Sequence, residues 1–135
     1  MKKFDNYCSN LAVFSTAVHQ DLSNDFIISG IKDKFSIQFE LGWKVLKSLL
    51  VYDGSLVAQT GSPRDIIKEA YRFYDFVDAE LWLEMLKCRN EMTHIYDGEA
   101  VNKLISVILN TYLKEFENVK AGILERYNGV LDSIP

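Results

Sequence analysis

The stretch DFIISGIKDKFSIQFELGWKVLKSLLVY, residues 25–52, decides the fold because its apolar residues recur at steps of three or four. Residues at that spacing lie on one face of an α-helix. Ser23-Asn24-Asp25 offers N-cap candidates before this stretch, and Asp53-Gly54 ends it. We therefore predict one long helix buried along a single stripe, formed by Ile27, Ile31, Phe35, Phe39, Trp43, Leu46 and Leu50.

Further helical patterns lie on both sides of this helix. They cover most of residues 3–22, about 63–75, a segment that follows Asp78 and carries the motif discussed below, and a segment from Asp97-Gly98 to about Tyr127. Ser62 and Asp65 suit a weakened capping box at the start of the short third helix. The last six residues are expected to be frayed.

The fold class follows from these patterns. No alternating strand pattern competes with them, and no repeat appears. With 135 residues and 48% apolar composition, the chain fits one domain, residues 1–135, with one core. We predict an all-α fold, an antiparallel up-and-down four-helix bundle in which the helix at 63–75 is an additional short element.

Charge limits the possible partners. The chain has 15 Lys and Arg against 19 Asp and Glu, a net charge of −4, so no global positive field would attract nucleic acid. Any RNA contact must be local, and DNA binding is not expected. No apolar stretch approaches the ~18 residues that indicate a membrane span.

Cysteine and histidine usage adds further limits. Cys8 and Cys88 lie far apart without a partner pattern, and no apolar run that would suit a signal peptide follows the N-terminal lysines. We therefore expect a reduced, cytoplasmic setting. His19 and His94 are isolated and neither CxxC nor HExxH occurs, so we predict no metal site and no cofactor.

The segment from Arg89 to Tyr96 combines residue types suited to phosphate chemistry. Arg89 offers a planar two-pronged donor, His94 exchanges protons near neutral pH, and the hydroxyl of Tyr96 donates or accepts; Asn90 adds an amide. A nucleotide or RNA phosphate would suit this set. A purely structural interpretation is that Arg and His complement the negative end of a helix dipole.

Helix geometry constrains this segment. Each residue of an ideal helix advances about 100°, so Arg89, Thr93 and Tyr96 share one face while Asn90 and His94 share another. One straight helix cannot bring Arg89 and His94 to one atom. Either the helix distorts or ends near Thr93, or two copies meet so that each contributes one of the groups. We favour the second alternative, and so predict a homodimer.

Two other cations are candidates for phosphate binding. Lys44 lies near Glu40 and Trp43 on the long helix, although solvated charges beside a core tryptophan are at least as common. Arg64 lies at a helix N-terminus, where free N–H groups favour anions, although exposed loop arginines are usually just solvated. Cys88 is better explained as a buried small residue than as a nucleophile.

Ordered blocks of sequence carry a resemblance to a known family. They are residues 35–44, Ser62-Pro63-Arg64-Asp65, and residues 82–90 running into His94 and Tyr96. This set, within residues 25 to 127, resembles the nucleotidyltransferase substrate-binding proteins, a family within the broader HEPN group. Such proteins are helical bundles, usually dimeric, and typically encoded beside a minimal nucleotidyltransferase that carries the catalytic carboxylates.

The resemblance implies a binding role first. The chain would be the nucleotide- or substrate-binding partner subunit of that separately encoded transferase. Arg89, with Lys44 and Arg64, would hold phosphate, while Asn90 and His94 would orient the ligand. The chain lacks a carboxylate triad, so it is not expected to be a self-sufficient transferase.

The resemblance also implies an enzymatic alternative. Related HEPN proteins with Arg-x4-His-x-Tyr are metal-independent ribonuclease toxins, and the matching residues are Arg89, His94 and Tyr96. His94 would act as general base on the RNA 2′-hydroxyl, and Arg89 would stabilise the charge on the phosphate. Tyr96 would position the phosphate, or receive a nucleotidyl group from the transferase that neutralises this toxin in a toxin-antitoxin pair.

Overall fold

The computed structural model describes residues 1–135 and is helical throughout. Its α-helices are α1 (Lys2–Ser15), α2 (Asp25–Tyr52), α3 (Pro63–Phe73), α4 (Ala79–Glu91), α5 (Gly98–Val107) and α6 (Leu113–Arg126). The π-helical segment Ile108–Tyr112 joins α5 to α6, so that these two form one long helix. The predicted all-α class is confirmed.

The first two long helices run antiparallel. Lys3 Nζ, near the start of α1, donates a hydrogen bond to Ser48 Oγ, near the end of α2, at 3.1 Å. Asn10 Nδ2 donates to Gln38 Oε1, nearer the middle of α2, at 2.8 Å. Increasing residue numbers on one helix therefore face decreasing numbers on the other, as in an up-and-down bundle.

The other two long helices also run antiparallel. Trp82 Nε1, early in α4, donates to Glu115 Oε2 on α6 at 2.9 Å. Glu91, the last residue of α4, lines a groove together with Lys103 on α5. The four long elements therefore form the predicted bundle, and α3 is the additional short helix.

Local capping signals place the ends of the helices. Asn24 Oδ1 accepts a hydrogen bond from Phe26 N at 2.8 Å, which starts α2 where the sequence predicted. The predicted capping box is present at α3: Ser62 Oγ accepts from Asp65 N at 3.3 Å, and Asp65 Oδ2 accepts from Ser62 N at 3.3 Å.

Aromatic side chains from all four long elements form the centre of the core. Trp82 is fully buried, with its ring centroid 5.7 Å from that of Phe39 and 5.5 Å from that of Phe116. Tyr7 is also fully buried and donates its hydroxyl hydrogen to Phe116 O at 2.7 Å. At Gly42 the backbone of α2 lies so close to Trp82 that an added Cβ would be 2.5 Å from the ring.

The first helix covers most of residues 3–22, as predicted: α1 ends at Ser15 and the 3₁₀ turn Thr16–His19 continues it. The expectation for the end of the chain was wrong. The last residues were expected to be frayed, yet Leu131–Ser133 forms a 3₁₀ turn and Ile134 is buried. Burial of the apolar Ile134 side chain opposes fraying of this segment.

The structure contains no helix long and apolar enough to cross a membrane. It also contains no group of three or more His, Cys, Asp or Glu side chains arranged to hold a metal ion.

Candidate functional site

The helix that carries the candidate motif ends inside it. Asp78 Oδ1 caps α4 by accepting from Leu81 N at 3.1 Å, and α4 runs from Ala79 to Glu91. The 3₁₀ turn Met92–His94 follows, and Ile95 is extended. The α-helix thus ends before Thr93, which is the alternative that the sequence analysis did not favour. Residues beyond Glu91 therefore do not follow α-helical spacing, and the shared site between two copies stays a prediction.

Arg89 is held between α2 and α4. Its guanidinium forms an ion pair with the Glu40 carboxylate and lies over the Phe39 ring, 5.3 Å from the centroid. Arg89 Nη2 also donates to Asn90 Oδ1 at 3.3 Å. The side chain retains 25% exposure. Arg89 is therefore fixed in orientation and still reachable from solvent.

Glu40 gathers a second cation beside Arg89. Its carboxylate lies 3.6 Å from Lys44 Nζ and accepts a hydrogen bond from Trp43 Nε1 at 3.2 Å. Two positive side chains from different helices thus share one negative partner. The local charge remains positive, which suits an anionic ligand.

The remaining predicted residues do not join this network. Tyr96 is 83% exposed and His94 is exposed on the 3₁₀ turn. Arg64 is exposed in the first turn of α3. None of these three side chains forms a hydrogen bond or an ion pair with Arg89. The structure therefore brings Arg89, Asn90 and Lys44 into one network of polar contacts, and His94, Tyr96 and Arg64 form no bond to Arg89 within one chain.

A groove of about 720 Å³ lies beside the Glu40 network, between the start of α1 and the second half of α2. We call it the lysine groove because Lys3, Lys44 and Lys47 line it. The apolar wall of the groove, which includes Trp43, Val51 and Tyr52, lies on the same helix as Lys44 and Lys47, and the C-terminal residues Ile134 and Pro135 complete the lining. Lys3 and Lys47 are not among the site residues predicted from the sequence. Lys47 could have been predicted, because residues three apart on a helix, such as Lys44 and Lys47, lie on the same face. Lys3 could not, because it reaches the groove only through the antiparallel packing of α1 on α2.

Only one lysine of the groove has a carboxylate partner. Lys44 pairs with Glu40, whereas Lys3 bonds to the neutral hydroxyl of Ser48 and Lys47 forms no ion pair. The groove is thus locally positive in a protein whose net charge is −4.

Cys88 precedes Arg89 but does not supply a nucleophile. Burial raises the pKa of the Cys88 thiol to about 11, and the nearby Glu91 carboxylate adds to this effect. The thiol therefore stays protonated near neutral pH, as expected for a small packed side chain.

Comparisons with known proteins place this geometry in context. A family model described as nucleotidyltransferase substrate binding protein like matches residues 2–125. A protein of Haemophilus influenzae described as probable ribonuclease HepT is 34% identical over 77 residues. That match covers 56% of this chain and 53% of the relative, so the chain spans about half the length of this curated relative. The family match extends over α1, which the resemblance within residues 25 to 127 did not include.

Proposed function

The chain belongs to the nucleotidyltransferase substrate binding protein like family, as its sequence predicted, and from this membership we propose that it is the nucleotide- or substrate-binding partner subunit of a separately encoded minimal nucleotidyltransferase. The family description implies a nucleotidyltransferase partner. The transferase supplies the catalytic carboxylates, and this chain supplies cations for a phosphorylated ligand.

The observation that carries the proposal is the shared carboxylate of Glu40. Arg89 and Lys44 both contact it, so both cations are pre-positioned at one place. Arg89 is also packed on Phe39, which reduces the side-chain entropy lost on binding. A phosphate would receive a two-pronged contact from Arg89 and a point charge from Lys44.

The other predicted residues complete the site in the proposal. Asn90 and His94 orient the ligand, and Arg64 is a further phosphate contact. Because His94 and Tyr96 are exposed and do not bond to Arg89 within one chain, we include a homodimer in the proposal. A two-fold axis would bring His94 of one protomer towards Arg89 of its partner.

The similarity to a probable ribonuclease favours a second candidate function, a metal-independent HEPN-type ribonuclease toxin. His94 would take the proton of the RNA 2′-hydroxyl, whose oxygen attacks the adjacent phosphorus and leaves a 2′,3′-cyclic phosphate. Arg89 would stabilise the phosphorane charge, and an RNA phosphate, like a nucleotide phosphate, would displace Glu40 from it. The net charge of −4 disfavours contact with extended RNA. We therefore rank this function second.

The two functions differ in the role of Tyr96. If the chain is a toxin neutralised by the transferase, the exposed Tyr96 hydroxyl attacks the α-phosphorus of a nucleoside triphosphate and pyrophosphate leaves. If the chain is a binding subunit, the nucleotidyl group goes to a separate acceptor.

The experiment mixes the transferase, this chain, α-labelled ATP and a cell extract that supplies the acceptor, and follows the label by gel and mass spectrometry. The partner role predicts that no label enters this chain and that labelled product forms faster when the chain is present. Label on the wild type that disappears in Tyr96→Phe would instead support the toxin function.

A further inference from the structure

The lysine groove has the size of a small-molecule site. Its volume of about 720 Å³ lies within the range of about 300–1,000 Å³ that is usual for ligand pockets. It lies next to Glu40 because Lys44 contacts that carboxylate and also lines the groove. We propose that the lysine groove binds a nucleotide, with its phosphates on Lys3, Lys44 and Lys47 and its base on the aromatic wall. This inference stands on the groove alone and does not depend on the transferase partnership.

The arrangement of charge favours a polyphosphate. Three ammonium groups from α1 and α2 border one groove, and Lys3 and Lys47 have no carboxylate partner. Holding like charges close together is unfavourable unless an anion neutralises them. A chain of phosphates carries several negative charges along its length and so matches cations that come from two helices. Lysine binds phosphate as a point charge, and Ser48 adds a hydroxyl.

The apolar wall favours an organic ligand over inorganic phosphate. Trp43 is fixed by the hydrogen bond from its Nε1 to Glu40 at 3.2 Å. Tyr52 also lines the groove and is half exposed, and its ring meets that of Tyr127 edge-on with centroids 6.5 Å apart. A nucleobase packs well on such rings, because its π-face accepts aromatic stacking. Inorganic phosphate would leave this wall exposed to water.

Total charge favours a small nucleotide over a long RNA. Extended nucleic acid needs a continuous positive track, and affinity grows with the number of phosphates neutralised. This chain has a net charge of −4, and its unpaired groove lysines are confined to one place. A mononucleotide can bind the groove lysines without placing further phosphates near the rest of the protein surface, which is acidic.

The test is calorimetric titration of the purified full chain in EDTA at low salt. The probes are ATP, adenosine and inorganic tripolyphosphate. The groove variants are Lys3→Gln, Lys47→Gln and the double variant. Lys114→Gln is the matched control, because Lys114 is exposed on α6 and does not line the groove. Circular dichroism of each variant confirms that the helical fold is retained.

We expect ATP to bind the wild type more tightly than either adenosine or tripolyphosphate. Each groove substitution should weaken ATP binding about fivefold or more, and the control should change it by less than about twofold, because charge-assisted hydrogen bonds to phosphate depend on position. The inference is wrong if wild type does not bind ATP at millimolar concentration, if folded groove variants bind as wild type does, or if tripolyphosphate binds as tightly as ATP.

A further variant separates this inference from the partner role. If Arg89→Gln loses ATP binding while all three groove variants retain it, the groove inference fails and the Arg89 site of the proposed function stands. If the groove variants lose ATP binding, the groove inference stands whatever the transferase experiment shows.

Discussion

The Glu40 carboxylate on α2 forms an ion pair with the Arg89 guanidinium on α4. The same carboxylate contacts Lys44, which lines the lysine groove. One acidic side chain therefore links the motif at the end of α4 to the groove on α2. Because the Glu40 carboxylate neutralises part of the positive charge of Arg89 and Lys44, substitution of Glu40 should change the affinity for an anionic ligand.

Glu40→Gln should increase the affinity for ATP. The substitution removes a negative charge that competes with phosphate for Arg89 and Lys44, while the amide oxygen still accepts from Trp43. Removing one negative charge about 4 Å from a bound phosphate changes the electrostatic energy of binding in water by about 1 kcal/mol, which is about fivefold in affinity. Calorimetric titration at low salt measures this change, and the gain should shrink at high salt. An affinity equal to or below that of wild type would contradict the account.

The purified protein should not cleave RNA in EDTA if the binding role is correct. The net charge of −4 disfavours contact with extended RNA, so wild type should resemble a no-protein control on denaturing gels. His94→Ala and Arg89→Ala are the matched variants. Metal-independent cleavage by wild type that both substitutions abolish would establish the ribonuclease function in place of the binding role.

Glu115 should make stability depend on pH. Burial raises the pKa of its carboxyl above the ordinary 4.5, although hydrogen bonds from Asp78 N, Asn118 and Trp82 Nε1 oppose the effect. The folded protein therefore binds this proton more tightly than the unfolded chain does. The resulting contribution to stability is complete below the ordinary pKa and is lost as the pH rises through the raised value.

Comparison with Glu115→Gln isolates that contribution. The unfolding free energy of wild type minus that of the variant should be larger near pH 4 than near pH 7, because glutamine does not titrate. Urea denaturation across this range measures the difference. A difference that is flat or that grows with pH would show that the Glu115 pKa is not raised.

The two glycines inside α2 should respond oppositely to alanine. A Cβ at Gly30 meets nothing within 4 Å, so Gly30→Ala should raise the unfolding free energy by about 0.5–1 kcal/mol through helix propensity. A Cβ at Gly42 would lie 2.5 Å from the Trp82 ring, so Gly42→Ala should lower it by about 1–3 kcal/mol. Chemical denaturation of both variants checks this contrast, and equal effects would contradict the packing described at Trp82.

Local signals predicted most of the fold. Apolar spacing identified α2, and Asn24, Ser62 and Asp78 cap the helices that the sequence assigned to them. The features that were missed depend on tertiary contacts. Burial of Ile134 orders the last segment, and the π-helical segment lies where Tyr112 stacks on Phe35, with ring centroids 5.5 Å apart. Neither the ordered last segment nor the π-helical segment could be predicted from the apolar spacing of one helix, because both depend on contacts with other parts of the chain.

The candidate site could be predicted only in part. The motif identified Arg89. The spacing of Arg89 and His94 required either that the helix distort or end, or that a second chain contribute one of the two groups. In the structure α4 ends at Glu91, between these two residues. Glu40 and Lys44 were noted on α2, but nothing in the sequence shows that Glu40 pairs with a residue 49 positions later, from 40 to 89. Lys3 was missed for the same reason, because its position in the groove depends on how α1 packs on α2.

The measurement that tests the partner role most directly is light scattering after size exclusion, at micromolar concentration, of this chain alone and mixed with the minimal nucleotidyltransferase. The partner role predicts a dimer for the chain alone and one larger species that contains both proteins. Separate elution of the two proteins, with the mass of each unchanged by mixing, would contradict the claim that this chain is a subunit of the transferase.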